Sequence, residues 1–380
     1  MAAAVSGSVH NVLIVGAGVS GVVLATALQR AGVGVDLIEI HPRWNVVGVG
    51  ISLQGPALRA LKSIGLLDRC IQRSFGYSQV VNCDQDGKVV GIVELPRLNG
   101  PQYPACVGMM RPELHKILAE AMSESGVSVR FGLTVQSMMQ TASAVEVEFS
   151  DGSRRAYDLV LGSDGANSKI REAVFGAERK PQYTGQAVWR AMVPRPQEVN
   201  ARHSYYGPRH KAGFNPVSAQ EMYIYLVQNV VGDPHLEPER WPAVVRELLA
   251  DFGGYIGEVR ECIVDPQRIV YRPIGSLLLP PPWYQGRVLV IGDAAHTPTP
   301  QLASGATIAI EDSIVLGELI GSGLPLGEVL ERFMARRYER CRIVVENSRQ
   351  LSEWERTPNA PGADPTALMA ASMTALAAPI

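Results

Sequence analysis

Apolar residues follow two rhythms along this chain. Asn11 to Val15 is a short run of the kind that fills a strand covered on both faces. It meets Gly16-Ala17-Gly18-Val19-Ser20-Gly21, and the helix-compatible Val22 to Ala31 follows. A second run, Val35 to Ile38, ends in Glu39, which completes a βαβ pattern. From about Gly76 to Glu94 two alternating runs flank Asp84-Gln85-Asp86-Gly87, a hairpin signature that interrupts the βαβ rhythm. Arg111-Pro112-Glu113 opens a helix to about Ser125. Strands are expected next at Val127 to Phe131, Ala144 to Phe149 and Leu159 to Leu161, the last leading into Gly162-Ser163-Asp164-Gly165.

Between about Pro181 and Val270 the rhythm becomes aromatic and β-branched alternation, as in Ala187 to Val193, His203 to Tyr206 and Met222 to Val227. This predicts a mostly antiparallel sheet, with one helix near Trp241 to Ala250. Arg287 to Ile291 is another apolar strand, running into Gly292-Asp293-Ala294-Ala295-His296. Helices are expected over about Gly305 to Ile320 and Glu328 to Glu355. The fold class is therefore α/β: a Rossmann-like domain with an inserted, mostly antiparallel β-sheet domain and a C-terminal helix. Residues 8–75, 105–180 and 271–325 form the discontinuous nucleotide-binding domain, and 76–104 with 181–270 the substrate-binding domain. The C-terminal helix takes 326–355, and the Ala/Pro/Thr-rich residues 356–380 read as a flexible, loosely attached tail.

At 380 residues and 46% hydrophobic, the chain can bury a large core. Its 35 basic and 37 acidic residues leave a net charge of -2, which gives no electrostatic reason to expect nucleic acid or an acidic membrane. The five cysteines are odd in number, widely spaced and without a C-x-x-C pair, so neither a disulfide framework nor a metal site is expected and a reducing cytoplasm fits best. No window offers the ~18 uninterrupted apolar residues of a membrane span.

The chemistry begins at Gly16-x-Gly18-x-x-Gly21. Glycines there let the backbone approach a pyrophosphate, and the following helix turns its unpaired N–H groups and positive dipole end toward the phosphates. Gly16, Ala17, Gly18, Ser20 and Gly21 are the candidate contacts. Glu39, 23 residues beyond Gly16, would accept hydrogen bonds from a ribose 2′-hydroxyl. The motif does not distinguish FAD from NAD(P).

Two further loops do. Asp158-Leu-Val-Leu-Gly-Ser-Asp-Gly-Ala-Asn-Ser-Lys-Ile-Arg171 and Gly292-Asp293-Ala-Ala-His-Thr-Pro-Thr-Pro300 closely resemble the DG and GD fingerprints of the single-component (group A) FAD-dependent aromatic hydroxylases, the p-hydroxybenzoate hydroxylase-like family. The resemblance covers roughly residues 10 to 345. It implies a glutathione reductase-type FAD-binding domain in which Asp293 binds the ribityl chain, Asp164 and its neighbours lie by the pyrophosphate, and Arg111 contacts the pyrophosphate or ribityl region. Gly50 and Val135 also fall at cofactor-binding places. The plainer alternative makes Asp164 and Asp293 turn or cap residues after strands.

The resemblance places the chemistry after Pro300, where the N–H groups of Gly305 and Ala306 would face the flavin edge that becomes negative on reduction. Pro300, Gly305 and Ala306 are thus both cofactor-binding and catalytic candidates. The family usually reads Pro-x-x-Gly-Gln-Gly-x-Asn here, whereas this chain has Ala303, Ser304 and Thr307 around Gly305. The implied reaction is NAD(P)H-driven hydroxylation of a small aromatic or N-heteroaromatic ring through a flavin C4a-hydroperoxide, with NADH or NADPH as transient donor and O2 as co-substrate.

By the same resemblance the inserted sheet roofs the flavin. Arg190 would hold a carboxylate or phenolate and Tyr223 a ring substituent, with Tyr205 a further substrate candidate. Trp189, Tyr205 and Tyr225 read equally as sheet-packing aromatics, and His296 as a structural histidine. Two other readings stay open: a flavin-dependent halogenase, although Trp189-Arg-Ala-Met-Val-Pro194 departs from the halogenase W-x-W-x-I-P, and a non-hydroxylating FAD-binding redox protein. Both monomer and homodimer remain open.

Overall fold

A computed structural model describes residues 8–46, 48–230, 232, 236–357 and 360–380. Its centre is a six-stranded sheet in which Asn11–Val15 pairs in parallel with Gly34–Glu39 on one side and Leu159–Gly162 on the other. Val288–Val290 and Val129–Phe131 extend it in parallel, and Tyr284–Gln285 closes one edge antiparallel. Val12, Leu13, Ile14, Leu159, Val160 and Leu161 are all buried, as expected where helices cover both faces. The helices Val19–Arg30 and Gly305–Gly321 pack together on this sheet. All strand C-termini that carry the glycine-rich turn, Glu39, Asp164 and Asp293 therefore meet at one end of the sheet, where α/β folds bind their ligands.

A second, eight-stranded sheet runs from His296–Thr297 through Ile269–Leu278, Gln182–Pro194, Glu221–Asn229, Lys211–Pro216 and Arg202–Tyr206 to the hairpin Gln79–Asp84 and Val89–Glu94. Its joints are antiparallel except that Arg202–Tyr206 pairs in parallel with Gln79–Asp84. One face packs Trp189, Tyr205, Phe214 and Leu226 against the helices Trp241–Leu248 and Gly254–Val259. The other face turns toward the nucleotide domain.

The helix Leu326–Arg356 follows. The end of the chain departs from the flexible tail read from its composition: Pro365–Ala377 is a helix, with the Asp364 carboxylate accepting from the Ala367 N–H (2.9 Å). Arg59 and Arg340 donate to its last carbonyls, Arg59 to Ala377 (2.7 Å) and Arg340 to Leu376 (2.7 Å), and Leu376 is buried. Alanine-rich composition is as compatible with helix as with loose chain, and the anchoring arginines are remote in sequence. No helix among the described residues is long and apolar enough to cross a membrane.

Candidate active site

The turn after the first strand depends on glycine. Gly16 lies at φ +100°, and a Cβ there would sit 2.7 Å from the Ser163 carbonyl oxygen. Its N–H donates to the Ile38 carbonyl (2.9 Å), and a Cβ on Gly21 would fall 2.0 Å from the Gly16 carbonyl oxygen. The helix Val19–Arg30 starts at Gly18 without a side-chain cap, so its leading N–H groups are left for an anion. Over Gly18 the space is open, with nothing within 4 Å of where a Cβ would stand.

Glu39 is half-buried, one carboxylate oxygen accepting from the Ala17 N–H (3.0 Å) and the other from the His41 N–H (3.0 Å). A carboxylate has about four acceptor positions, so capacity for ribose hydroxyls remains. The Leu133 N–H donates to the Glu39 carbonyl (3.0 Å), which brings the segment entering Val135 to the same corner. Ser20 is buried under the third turn, since a Cβ on Gly292 would lie 2.4 Å from Ser20 Oγ.

The Asp293 carboxylate receives no hydrogen bond from the described residues; only its carbonyl accepts, from Thr297 Oγ1 (2.8 Å). Burial pushes its carboxyl above the usual range, opposed by the charges of His296 and Arg111. Arg111 thus faces the same space, and its stem passes Gly48, where a Cβ would come 2.8 Å from Arg111 Cδ. Asp164 is differently placed. Its carboxylate accepts from Ser168 Oγ (2.5 Å) and from the N–H groups of Lys169 (2.8 Å) and Ile170 (3.1 Å), at the head of the helix Lys169–Phe175.

Behind Asp293 lies a fully buried ionic network. Asp312 accepts from His296 Nε2 (2.6 Å), Arg337 Nε (2.8 Å) and the Gly292 N–H (3.1 Å). Burial alone would raise the Asp312 carboxyl, but His296 and Arg337 outweigh it and bring it to about 2. Burial would likewise lower His296, yet Cys341 and Asp312 hold it well above its ordinary value. His296 is therefore a positive partner that fixes the 292–296 turn, in keeping with its structural reading.

The loop after Pro300 carries the one positive-φ non-glycine among the described residues, Ala303 at φ 49°. It stands where the resembling family has glycine, and a left-handed alanine costs ~1–2 kcal/mol. Pro300 accepts from the Ala303 N–H (2.9 Å), and Gln301 Nε2 donates to Gln186 Oε1 (3.2 Å) and Glu355 Oε2 (2.8 Å). These contacts lock the loop to the inserted sheet and to the long helix. The helix Gly305–Gly321 starts without a side-chain cap, so the N–H groups of Gly305 and Ala306 lead it outward.

On the far side of Gln301 and Leu302 lies a cavity of about 750 Å³. The sheet contributes Asn82, Arg202, Ser204, Tyr206 and Lys211 to its walls. Arg202 Nε is enclosed without a hydrogen-bond partner, and Lys211 pairs with Glu355 (2.9 Å). Tyr205 does not belong here. It points to the opposite face, packed on Phe214 and Phe252, because successive strand residues alternate; this corrects its expected place at the substrate. Arg190 and Tyr223 share the cavity-side face but lie beyond its lining, deeper toward the nucleotide domain. Tyr223 packs on Gly50, where a Cβ would be 1.9 Å from Tyr223 Cδ1, and its hydroxyl is 3.4 Å from Ser52 Oγ. Gly50 is thus a close-packing glycine, and burial lowers Arg190 with Tyr223 opposing and Arg111 and Arg272 adding to the shift. The alternation of Arg202, Ser204 and Tyr206 was the available signal for the residues missed.

Residues 10–348 match the family described as FAD binding domain. The chain belongs to that family, the FAD-dependent aromatic monooxygenases. It is 31% identical over 351 residues to 2-heptyl-3-hydroxy-4(1H)-quinolone synthase of Pseudomonas aeruginosa, covering 91% of this chain and 90% of that protein. It is 28% identical over 371 residues to the 3-amino-4-hydroxybenzoate 2-monooxygenase of Streptomyces platensis, covering 94% and 91%. Its fold is that of Klebsiella pneumoniae HpxO complexed with FAD and uric acid, with a TM-score of 0.83 at 22% identity over 97% of this chain and 92% of that one. FAD fits the monooxygenase's own geometry: the opening over Gly18 suits a pyrophosphate, Glu39 a ribose, and the unpartnered Asp293 carboxylate the ribityl hydroxyls.

Proposed function

We propose that this monooxygenase takes electrons from NADH or NADPH and places one atom of O2 on a small aromatic or N-heteroaromatic ring held in the cavity beside Gln301 and Leu302. The observation that carries the reading is the position of that cavity. It lies against the very loop that ends in the uncapped Gly305 helix, so a ring in it and a flavin on the loop would be neighbours. Bound FAD supplies the transfer of reducing equivalents from the nicotinamide to O2 and of one oxygen atom to the ring.

The chain's own residues orient and activate. Gly16, Ala17, Gly18, Ser20, Gly21, Glu39, Arg111, Asp293 and the Val135 segment hold the dinucleotide, and the Gly305 and Ala306 N–H groups stabilise negative charge at the flavin edge. The guanidinium of Arg202, on the cavity wall, takes an oxygen substituent of the ring. Tyr225 joins it: burial would raise its phenol, but Arg202 and Lys211 outweigh that and hold it below its ordinary range. Its hydroxyl lies 3.1 Å from Ser204 Oγ, and Ser204 carries this polar group to the cavity wall beside the ring. Arg190 and Tyr223 would act from beneath, on the flavin side of the ring. The relatives named above act on ring substrates, which supports this choice of class.

An absorbance spectrum of the purified protein, then NAD(P)H consumption with a panel of phenols, aromatic acids, hydroxypyridines and quinolones, tests the reading. Bound flavin and one compound that stimulates oxidation and is recovered hydroxylated is the expected outcome. Flavin-bound protein that yields only H2O2 with every compound overturns it.

A further inference from the structure

The Pro365–Ala377 helix lies beyond the residues 10–348 shared with the family, yet it walls the cavity. Thr366, Met369, Ala370, Met373 and Ala377 line it, and their spacing puts them on one helix face. That face carries a single hydroxyl and is otherwise apolar. The wall is held firmly. Arg59 and Arg340 grip its C-terminal carbonyls, and Arg340 is itself fixed by Glu311 through two 2.7 Å contacts.

The hairpin strand Val89–Glu94 contributes Val90 and Val93 to the same cavity. Val89, Val90, Ile92 and Val93 are each about half exposed or more, and Val90 is 63% exposed. A cluster of uncovered apolar side chains on one rim of a cavity is the mark of a ligand-binding groove. The other end is polar, with Arg202, Lys211, Glu355 and Gln301 next to the loop before Gly305. At about 750 Å³ the space lies in the range that encloses drug-sized ligands.

Resting on the hydroxylase reading, we infer that the substrate ring bears an apolar chain, and that the Pro365–Ala377 helix and the Val89–Glu94 strand form the chamber that receives it. The ring and its oxygen lie at Arg202 and the chain runs to Met369, Ala370 and Met373. Chain length is therefore read by a segment that follows the family-matched residues 10–348.

Calorimetric titration of the FAD-loaded full chain with 2-alkyl-4(1H)-quinolones and with 4-alkylphenols, each from methyl to nonyl, tests this. Affinity should rise about fourfold per methylene in at least one series until the chamber is filled. Ala370→Trp, at an exposed helix position, should collapse the nonyl-to-methyl affinity ratio by more than about tenfold, and Met373→Glu should do the same if the first variant fails to fold. Affinity independent of chain length, no binding in either series, or a ratio that survives both substitutions overturns the inference. A methyl compound hydroxylated as readily as a nonyl one, with flat binding, removes the chamber but leaves the hydroxylase; chain-dependent binding with H2O2 as the sole product does the reverse.

Discussion

Asp164 and Asp293 end neighbouring parallel strands and read alike in the sequence, each between glycine-rich neighbours, but they are used in opposite ways. Asp164 spends its carboxylate on Ser168 and two N–H groups of its own helix. Asp293 has no such helix start within reach, and its carboxylate stays open to the dinucleotide site. The following residues decide this: Ser168-Lys169-Ile170 turns back over Asp164, whereas Ala294-Ala295-His296 offers no side-chain donor to Asp293 and sends His296 to Asp312 instead. The same residue at the same place in a strand–turn element is tied into its own helix start in one loop and has a carboxylate without a hydrogen-bond partner among the described residues in the other.

Four substitutions would break or sharpen this contrast. The largest effect should come from Asp312→Asn, which removes the carboxylate charge from the buried His296 and leaves the buried Arg337 with Glu311 alone (3.1 Å). A loss of about 3–5 kcal/mol in denaturant unfolding is expected. The pH dependence follows. Asp312 lies at about 2 in the folded chain against about 3.9 when unfolded, so its contribution is complete above about pH 4 and fades as pH falls toward 2. His296 is raised, so its contribution is present below its unfolded value and is lost as pH rises through its folded one. Between about pH 4 and pH 2 Asp312→Asn should lose less stability than the parent chain; an unchanged acid limb would remove Asp312 from the account.

Next, Asp293→Ala should fold but bind FAD about 10–100-fold more weakly, the worth of a charge-assisted hydrogen bond, read by flavin content after purification and by titration. Asp164→Ala should show the mirror image: a cap-sized loss of about 1–2 kcal/mol in stability with a smaller change in FAD affinity than Asp293→Ala. If the two variants lose flavin equally, the contrast fails. The smallest effect is Ala303→Gly, which relieves the left-handed alanine and should raise the unfolding midpoint by up to about 1 kcal/mol in stability; a destabilised variant would show that the loop's conformation depends on the alanine methyl.

Much of the nucleotide domain was legible because its signals are local. The run Asn11 to Val15, the glycine turn, Glu39 and the helices after Arg111 and Gly305 each follow from residues within a few positions of one another, and the structure places them as read. The substrate side was less legible. Choosing Tyr205 by residue type overlooked that its neighbours Ser204 and Tyr206 occupy the other face, and a strand's alternation does not say which face is covered by helices. The tail was misread for a related reason: nothing near Pro365 announces Arg59 and Arg340, whose guanidiniums end that helix from elsewhere in the chain.

The sequence by itself determined the α/β class, the dinucleotide turn and the family, since backbone conformation at a glycine and apolar periodicity are properties of short segments. Only the tertiary structure decided which aspartate is free, which sheet face meets the cavity and that the last helix walls it. Those outcomes depend on which remote donors, carbonyls and apolar faces arrive beside each residue, and that is a matter of packing.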